Sequence, residues 1–280
     1  MNNSVYECID FDRRFSVFLN NWLEKNRHIY KGNMDKVEEL VPEIYEEFLN
    51  TPLEEDAAVI PLSYFSRYDD AAFLIGWMQA YRKASISIPD MLMERIVELG
   101  EPAEKELYRL VCAEEASEEM RMTAASLLQE LDSTLPLTFY ADAVAAAQTD
   151  SGLIELFTES LIHMGKEATI AARDRYYQAT GTGKMAFLDI LSRAVEKGDT
   201  YELIVEQLKA GNERIGHLVS YLERLNEERA LPLLYNLCKK PDIGYLDYIE
   251  VVNAIDTLGG EAPAEREFSG DPAYESLRQL

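Results

Sequence analysis

The sequence is poor in the residues that bind zinc or form disulfide bonds. It has three cysteines and three histidines in 280 residues, and neither a Cys-x2-Cys nor a His-x3-His spacing occurs among them. Because zinc sites depend on such pairs, the sequence predicts no metal ion, and no motif in it predicts a cofactor. Three widely separated cysteines also fit reduced thiols better than a disulfide framework.

Long apolar runs and positive charge are scarce as well. No stretch reaches the roughly 18 apolar residues of a membrane-spanning helix, and the first residues do not resemble a secretory leader. The net charge is −24, from 51 acidic and 27 basic side chains. Because this surface repels phosphate backbones and anionic lipids, we expect no nucleic-acid partner and no membrane partner. We also expect a cytoplasmic location.

Helical periodicity is abundant, whereas the period-2 alternation of half-buried strands is missing. In residues 117–131 the apolar side chains fall at three- and four-residue steps, and Ser117 stands where an N-cap is expected. The sequence therefore predicts an all-α fold of about sixteen helices. We expect these helices at 10–30, 33–50, 54–66, 69–84, 89–99, 101–113, 117–131, 136–148, 151–164, 167–179, 184–196, 199–210, 213–225, 228–239, 244–258 and in a short tail to 279.

A hydrophobic residue followed by a turn residue recurs about every 32 residues. The positions are Leu99-Gly100, Leu131-Asp132, Met164-Gly165, Val195-Glu196, Leu225-Asn226 and Leu258-Gly259. A period in this range indicates an array of stacked helix pairs. Stacking is physically required, because one pair of short helices buries too little apolar area to offset its ordering entropy.

The repeated segments resemble a known family. Residues 121–131, RMTAASLLQEL, are similar to the first-helix pattern R-x-x-A-A-x-x-L-x-x-L of HEAT-like repeats of the bilin-lyase type. Residues 225–237 resemble the turn and the second helix of such a repeat, with Pro232 near the helix start. The resemblance covers about residues 89–262. It implies a right-handed α-α superhelix, a HEAT-like solenoid of about eight helix pairs.

This resemblance divides the chain into three parts of one continuous solenoid. Residues 1–88 are expected to form diverged N-terminal repeats or a cap, and residues 89–262 the HEAT-like repeats. Residues 263–280 are expected to form a C-terminal cap or tail. Two ordinary globular all-α domains are the alternative.

Members of this family are mostly protein-binding scaffolds, and a minority are bilin lyases or helical-repeat DNA glycosylases. The resemblance implies a non-catalytic scaffold that binds a protein or peptide in its groove, and the acidic surface favours a basic partner. An enzyme on the same fold is the alternative, either bilin lyase-like or DNA glycosylase-like, and the net charge disfavours the latter. Self-association through the less acidic N-terminal end is a third hypothesis, and the sequence leaves the oligomeric state open.

Candidate partner contacts lie on the predicted second helices, which line the groove in this family. Aromatic and arginine side chains concentrate binding energy at protein interfaces. The candidates are therefore Tyr108, Arg109, Tyr140, Arg173, Tyr177 and Tyr201. No Ser/His/Asp or Cys/His arrangement predicts a catalytic residue.

Two further motifs have competing interpretations. Residues 181–184, GTGK, are similar to part of a phosphate-binding loop, but the upstream glycine and the following Ser or Thr are absent. We therefore interpret them as an inter-helix loop. Phe11, Phe15, Phe18 and Trp22 recur at three- and four-residue steps and predict a core stripe. If the first helix is instead an exposed cap, Phe15 and Trp22 become interface anchors.

Overall fold

The fold is all-helical, as predicted. The structure, a computed structural model, describes residues 6–31, 33–54, 56–211, 214–264 and 266–277. Throughout these ranges the chain forms helices joined by turns and irregular segments, without any β-strand. None of the helices described is both long and apolar enough to cross a membrane.

The chain divides into two compact units, Met1–Leu135 and Pro136–Leu280. We call them unit 1 and unit 2. The predicted division near residues 88 and 262 stays a prediction.

The described part of unit 1 contains seven α-helices and a short 3-10 turn at Pro61–Ser63. The helices are α1 (Phe11–Lys25), α2 (Arg27–Tyr30), α3 (Met34–Leu49), α4 (Ala71–Lys83), α5 (Asp90–Glu98), α6 (Glu101–Cys112) and α7 (Glu118–Glu130). The predicted N-cap is confirmed, because the Ser117 hydroxyl accepts a hydrogen bond from the N–H of Met120 at 3.3 Å.

In unit 2 the helices are shorter on average and follow one another closely. They are α8 (Leu137–Ala146), α9 (Gly152–Met164), α10 (Lys166–Arg175), α11 (Gly181–Arg193), α12 (Thr200–Lys209), α13 (Ile215–Leu225), α14 (Leu231–Cys238), α15 (Tyr245–Thr257) and α16 (Pro272–Leu277). Turns of 3-10 helix at Tyr176–Gln178 and Glu228–Ala230 extend α10 and precede α14.

The helix predicted over residues 54–66 is wrong, since among the residues of that segment that the structure describes, 54 and 56–66, the helical element is the 3-10 turn Pro61–Ser63. The Asp56 carboxylate accepts a hydrogen bond from the N–H of Ala58 at 2.9 Å. The carbonyl of Asp56 accepts another from the N–H of Val59, also at 2.9 Å. These local bonds use the backbone groups that a helix would need, which is how aspartate competes with helix formation.

Most of the predicted turn positions share a positive φ, although ψ differs among them, from −130° at Gly100 and −121° at Gly165 to +46° at Asn226. Five of the six have a positive φ at the second residue: Gly100, Asp132, Gly165, Asn226 and Gly259. Glycine, asparagine and aspartate enter this left-handed region most easily, which explains why these residue types recur there. At the sixth position, Val195-Glu196, the helix ends at Arg193 and the positive φ falls on Gly198. The recurrence in the sequence therefore marks a recurring helix-ending turn.

Several helices within each unit pack against the next helix, the next but one, or both. In unit 2, α11 lies between α9 and α13, and α13 also contacts α15, while α8 contacts α10. In unit 1, α4 contacts α6, and α5 contacts α7. These contacts join helices that are close to one another in the sequence.

Polar contacts also repeat along unit 2. The hydroxyl of Tyr201 on α12 donates to the carbonyl of Arg229 at 3.1 Å. The hydroxyl of Tyr235 on α14 donates to the carbonyl of Glu261 at 2.8 Å. In the first bond α12 is joined to the turn after α13, and in the second α14 is joined to the turn after α15. The two bonds are therefore equivalent in their positions along the chain.

The segment 181–184 is not an inter-helix loop, because it forms the first turn of α11. The Thr180 hydroxyl accepts a hydrogen bond from the N–H of Gly183 at 3.0 Å. It also donates to the carbonyl of Ala147, and the Thr180 N–H donates to the carbonyl of Ala145 at 3.0 Å. The motif therefore caps the start of α11 and, at the same time, the end of α8.

Asp271 joins the starts of α15 and α16. Its carboxylate accepts hydrogen bonds from the N–H groups of Tyr245 at 3.0 Å, Ala273 at 2.9 Å and Tyr274 at 3.2 Å. The hydrogen bond from Tyr245 has the largest effect, and together these bonds hold the pKa of the Asp271 carboxyl below its ordinary value near 3.8.

We expect Asp271 to stabilise the fold in a pH-dependent way. The pKa of Asp271 is lower in the folded state than in the unfolded state. Its contribution to the free energy of unfolding is therefore complete at pH values above the pKa of the unfolded state, and it is lost as the pH falls through the pKa of the folded state. Thermal unfolding of the wild type and of Asp271→Asn, compared from about pH 7 down to pH 2, measures this contribution. The wild type should be the more stable near neutral pH, and the difference should shrink in acid. A difference that stays constant over this range would contradict the assignment.

Candidate functional site

Two of the predicted contact residues lie on α6 in unit 1. Tyr108 is half-buried, and Arg109 is exposed and forms an ion pair with Glu106. Burial, together with a hydrogen bond to the Cys112 thiol, raises the pKa of Tyr108. Its phenol therefore stays neutral at physiological pH.

Two predicted tyrosines of unit 2 have opposite environments. Tyr140 has no exposed surface, and its ring stacks on Phe157 with 4.2 Å between the ring centroids. Tyr177 is 67% exposed and meets the edge of Tyr176 at 5.4 Å. A fully buried ring has no surface to offer a partner, so Tyr140 belongs to the core of unit 2 and is not part of the site described below.

Arg173 and Tyr201 lie on either side of the start of α12. The Arg173 guanidinium forms an ion pair with Asp199 and donates to the carbonyl of Lys197 at 3.3 Å. The ring of Tyr201 lies under the Arg229 guanidinium, 3.9 Å from the ring centroid. Such stacking of a cation on an aromatic face is stabilising and gives Tyr201 an intramolecular partner.

A cleft of about 630 Å³ opens in unit 2, and Arg173 is the predicted contact residue that lines it. We call it the Val195 cleft. It is lined by Ile162, Gly165, Lys166, Thr169, Ile170, Arg173, Asp174, Ile190, Arg193, Ala194, Val195, Glu196 and Gly198. These residues come from the end of α9, from α10, from the end of α11 and from the loop before α12.

Two apolar side chains of the Val195 cleft are unusually exposed. Val195 is 97% exposed and Ile170 is 53% exposed, while Ile190 in the same cleft is only 2% exposed. Single exposed apolar residues are common on protein surfaces. Two of them beside one concave surface make the Val195 cleft a candidate site.

Two of the five charged residues that line the cleft are paired within the chain. Arg173 pairs with Asp199, and the Nε of Arg193 lies 3.0 Å from the Oδ1 of Asp189. Within the part of the chain that the structure describes, Lys166 makes no ion pair. The cleft therefore combines an apolar surface with exposed charges of both signs, from Lys166, Asp174 and Glu196.

Gly198 allows Arg173 to take this position. A Cβ at residue 198 would overlap the Arg173 guanidinium, and Gly198 also has a φ of +52°. Only glycine meets both conditions without strain. The loop between α11 and α12 thus holds Arg173 against one side of the cleft.

The sequence did not identify Val195, Ile170, Lys166 or Arg193 as site residues. Val195 was interpreted as one more copy of the repeated hydrophobic position, which is half-buried or buried at the other five copies. A signal was present, because the sequence after Val195 departs from the turn pattern of the other copies. In the structure α11 ends two residues before Val195, so its side chain points away from the core.

A search for metal-binding clusters and a comparison with known proteins complete the description of the candidate site. Across the described ranges, no group of three or more His, Cys, Asp or Glu side chains is arranged to hold a metal ion. Comparison of the chain with protein-family models, curated proteins and solved structures gives no match. The resemblance to HEAT-like repeats therefore stays a prediction from the repeated motif.

Proposed function

We propose that this chain is a non-catalytic interaction scaffold that binds a segment of a partner protein in the Val195 cleft. The observation that carries the proposal is the exposure of Val195, at 97%, beside a cleft of about 630 Å³. A few residues that become fully desolvated near the centre of an interface supply most of its binding energy.

The proposal includes a HEAT-like arrangement of the helix pairs, continuing as a right-handed superhelix. Two findings support it. The positive-φ turn recurs at five of the six predicted positions, and helices in each unit contact the next but one. Repeat arrays of this kind usually serve as binding surfaces rather than as reaction sites.

The charge of the chain favours partners with basic residues on either side of the apolar side chain that binds in the Val195 cleft, the apolar anchor. At −24, the net charge attracts a basic segment over a distance and raises its association rate. The apolar anchor then binds in the cleft, where charge matters less. We therefore expect binding that weakens with salt mainly through slower association.

A peptide display library selected on the wild-type protein tests the proposal. The selected peptides should share an apolar anchor, and Val195→Glu should weaken their binding about tenfold or more, because an apolar contact is replaced by a charge. Leu246→Glu is the matched control, since Leu246 is also on unit 2, is 61% exposed and does not line the cleft. Equal binding to the wild type and to Val195→Glu would show that the cleft is not the site.

A further inference from the structure

Helix α1 leaves most of its aromatic face half-covered. Of its side chains only Phe11 is buried, while Phe15, Phe18 and Trp22 are half-buried. Phe15 and Phe18 contact Phe48 of α3, with ring centroids 5.4 and 5.6 Å apart. The stripe is therefore partly core and partly open: Phe11 is buried, and the other three side chains keep aromatic surface that a partner can cover.

A cleft of about 520 Å³ lies along this face, between α1 and the segment 47–54. We call it the Trp22 cleft. Its apolar surface comes from Phe18, Trp22, Phe48 and Leu53, and Val17, which is 49% exposed, also lines it. From Arg14 to Lys25 it follows three turns of α1, about 17 Å at the 1.5 Å rise per residue. This length matches about eleven residues of a second helix.

The two walls of the Trp22 cleft carry opposite charges. Arg14 and Lys25 stand on the α1 wall, and Glu47 and Glu54 stand on the opposite wall. A nucleic acid or an anionic membrane requires positive charge on both sides. A second copy of this chain would present the same concave surface and would leave the cleft unfilled.

We propose that the Trp22 cleft binds an amphipathic α-helix of a partner protein. The apolar stripe of that helix packs on Phe18 and Trp22, as in other helix-in-groove complexes. Its acidic flank faces Lys25 and Arg14, and its basic flank faces Glu47 and Glu54. This surface lies in unit 1, so the proposal does not depend on the Val195 cleft of unit 2.

Three synthetic helical peptides test the proposal with the full-length chain. All carry the same leucine stripe, and their flanks are acidic on one side and basic on the other, acidic on both, or basic on both. The mixed-flank peptide should bind several-fold tighter than either of the others. The chain has two tryptophans and Trp77 is buried, so a change in tryptophan fluorescence on binding reports Trp22.

Two pairs of variants sharpen the test. Val17→Glu should weaken binding of the mixed-flank peptide about tenfold or more. Leu62→Glu is the matched control, because Leu62 is also 49% exposed and lies in unit 1 but does not line the cleft. This control variant should bind the peptide within twofold of the wild-type affinity. Lys25→Glu sets a carboxylate beside Arg14 on the α1 wall and makes the cleft acidic overall, so it should shift the preference toward the basic-flank peptide. Glu54→Lys makes the cleft basic overall and should shift the preference toward the acidic-flank peptide. Circular dichroism confirms that each variant is folded.

Three outcomes would overturn the proposal. One is the absence of binding by the mixed-flank peptide at millimolar concentration, and another is binding that Val17→Glu does not change. The third is a dimer in sedimentation that Val17→Glu dissociates, because the cleft would then belong to an interface between copies of this chain. None of these results bears on peptides selected for the Val195 cleft, so the two proposals fail separately.

Discussion

Tyr140→Ala is expected to lower the free energy of unfolding by about 3–5 kcal/mol, the usual loss when a large buried aromatic side chain is truncated. Tyr140 has no exposed surface and stacks on Phe157, which is itself fully buried between α8 and the neighbouring helices. Removing the ring leaves a cavity lined by Phe157 and also removes a favourable aromatic pair. Chemical denaturation followed by circular dichroism measures the loss.

Tyr177→Ala is the matched control for this prediction. Both tyrosines were predicted as partner contacts from the same sequence argument, but Tyr177 is 67% exposed. Its truncation should change stability by about 0.5 kcal/mol or less, as at most surface positions. Similar losses for the two variants would mean that Tyr140 is not the core residue that the structure shows.

Gly183→Ala is expected to destabilise unit 2 by about 2 kcal/mol, although alanine is the better helix former. A Cβ at residue 183 would lie 2.5 Å from the carbonyl oxygen of Val144 and 3.1 Å from the Cα of Ala145. Both obstacles are backbone atoms at the end of α8, which cannot rotate away. Overpacking of this kind costs about 1–3 kcal/mol, and we expect the upper end, which exceeds the gain of about 1 kcal/mol in helix propensity.

Gly181→Ala separates the steric effect from helix propensity. Gly181 occupies the same first turn of α11, and a Cβ there would meet no atom within 4 Å. This variant should be as stable as the wild type or gain about 0.5 kcal/mol. Thermal unfolding of both variants provides the comparison, and a Gly183→Ala protein as stable as Gly181→Ala would disprove the close approach of α11 to α8.

Most helices could be predicted because amphipathic periodicity and capping residues are local signals. The segment 117–131 illustrates this, since its N-cap, its apolar steps and its end near Leu131 all agree with α7. The segment 54–66 illustrates the limit, because its apolar residues suggested a helix while Asp56 forms a competing turn. Sequence periodicity does not reveal whether the hydrogen bonds of a helix or those of the Asp56 turn are the stronger.

The candidate sites were less predictable than the helices. Arg173 was identified as a candidate contact and lines the Val195 cleft, but Val195 itself was assigned to a repeated hydrophobic position. Its exposure depends on α11 ending at Arg193, and the end of a helix is the least certain part of a prediction. For α1, the sequence left a core stripe and an exposed cap as alternatives, and the structure shows a stripe that α3 covers only in part.

The sequence by itself determined the helical class of this protein, its acidic surface and the positions at which the chain turns. These properties depend on composition and on neighbours within a few residues, as at Gly100 or Asn226, where the residue type suits a positive φ. The tertiary structure alone decided which apolar side chains are covered. Tyr140 is buried and stacks on Phe157, whereas Tyr177 and Val195 are exposed. Solvent exposure depends on such contacts between residues distant in sequence.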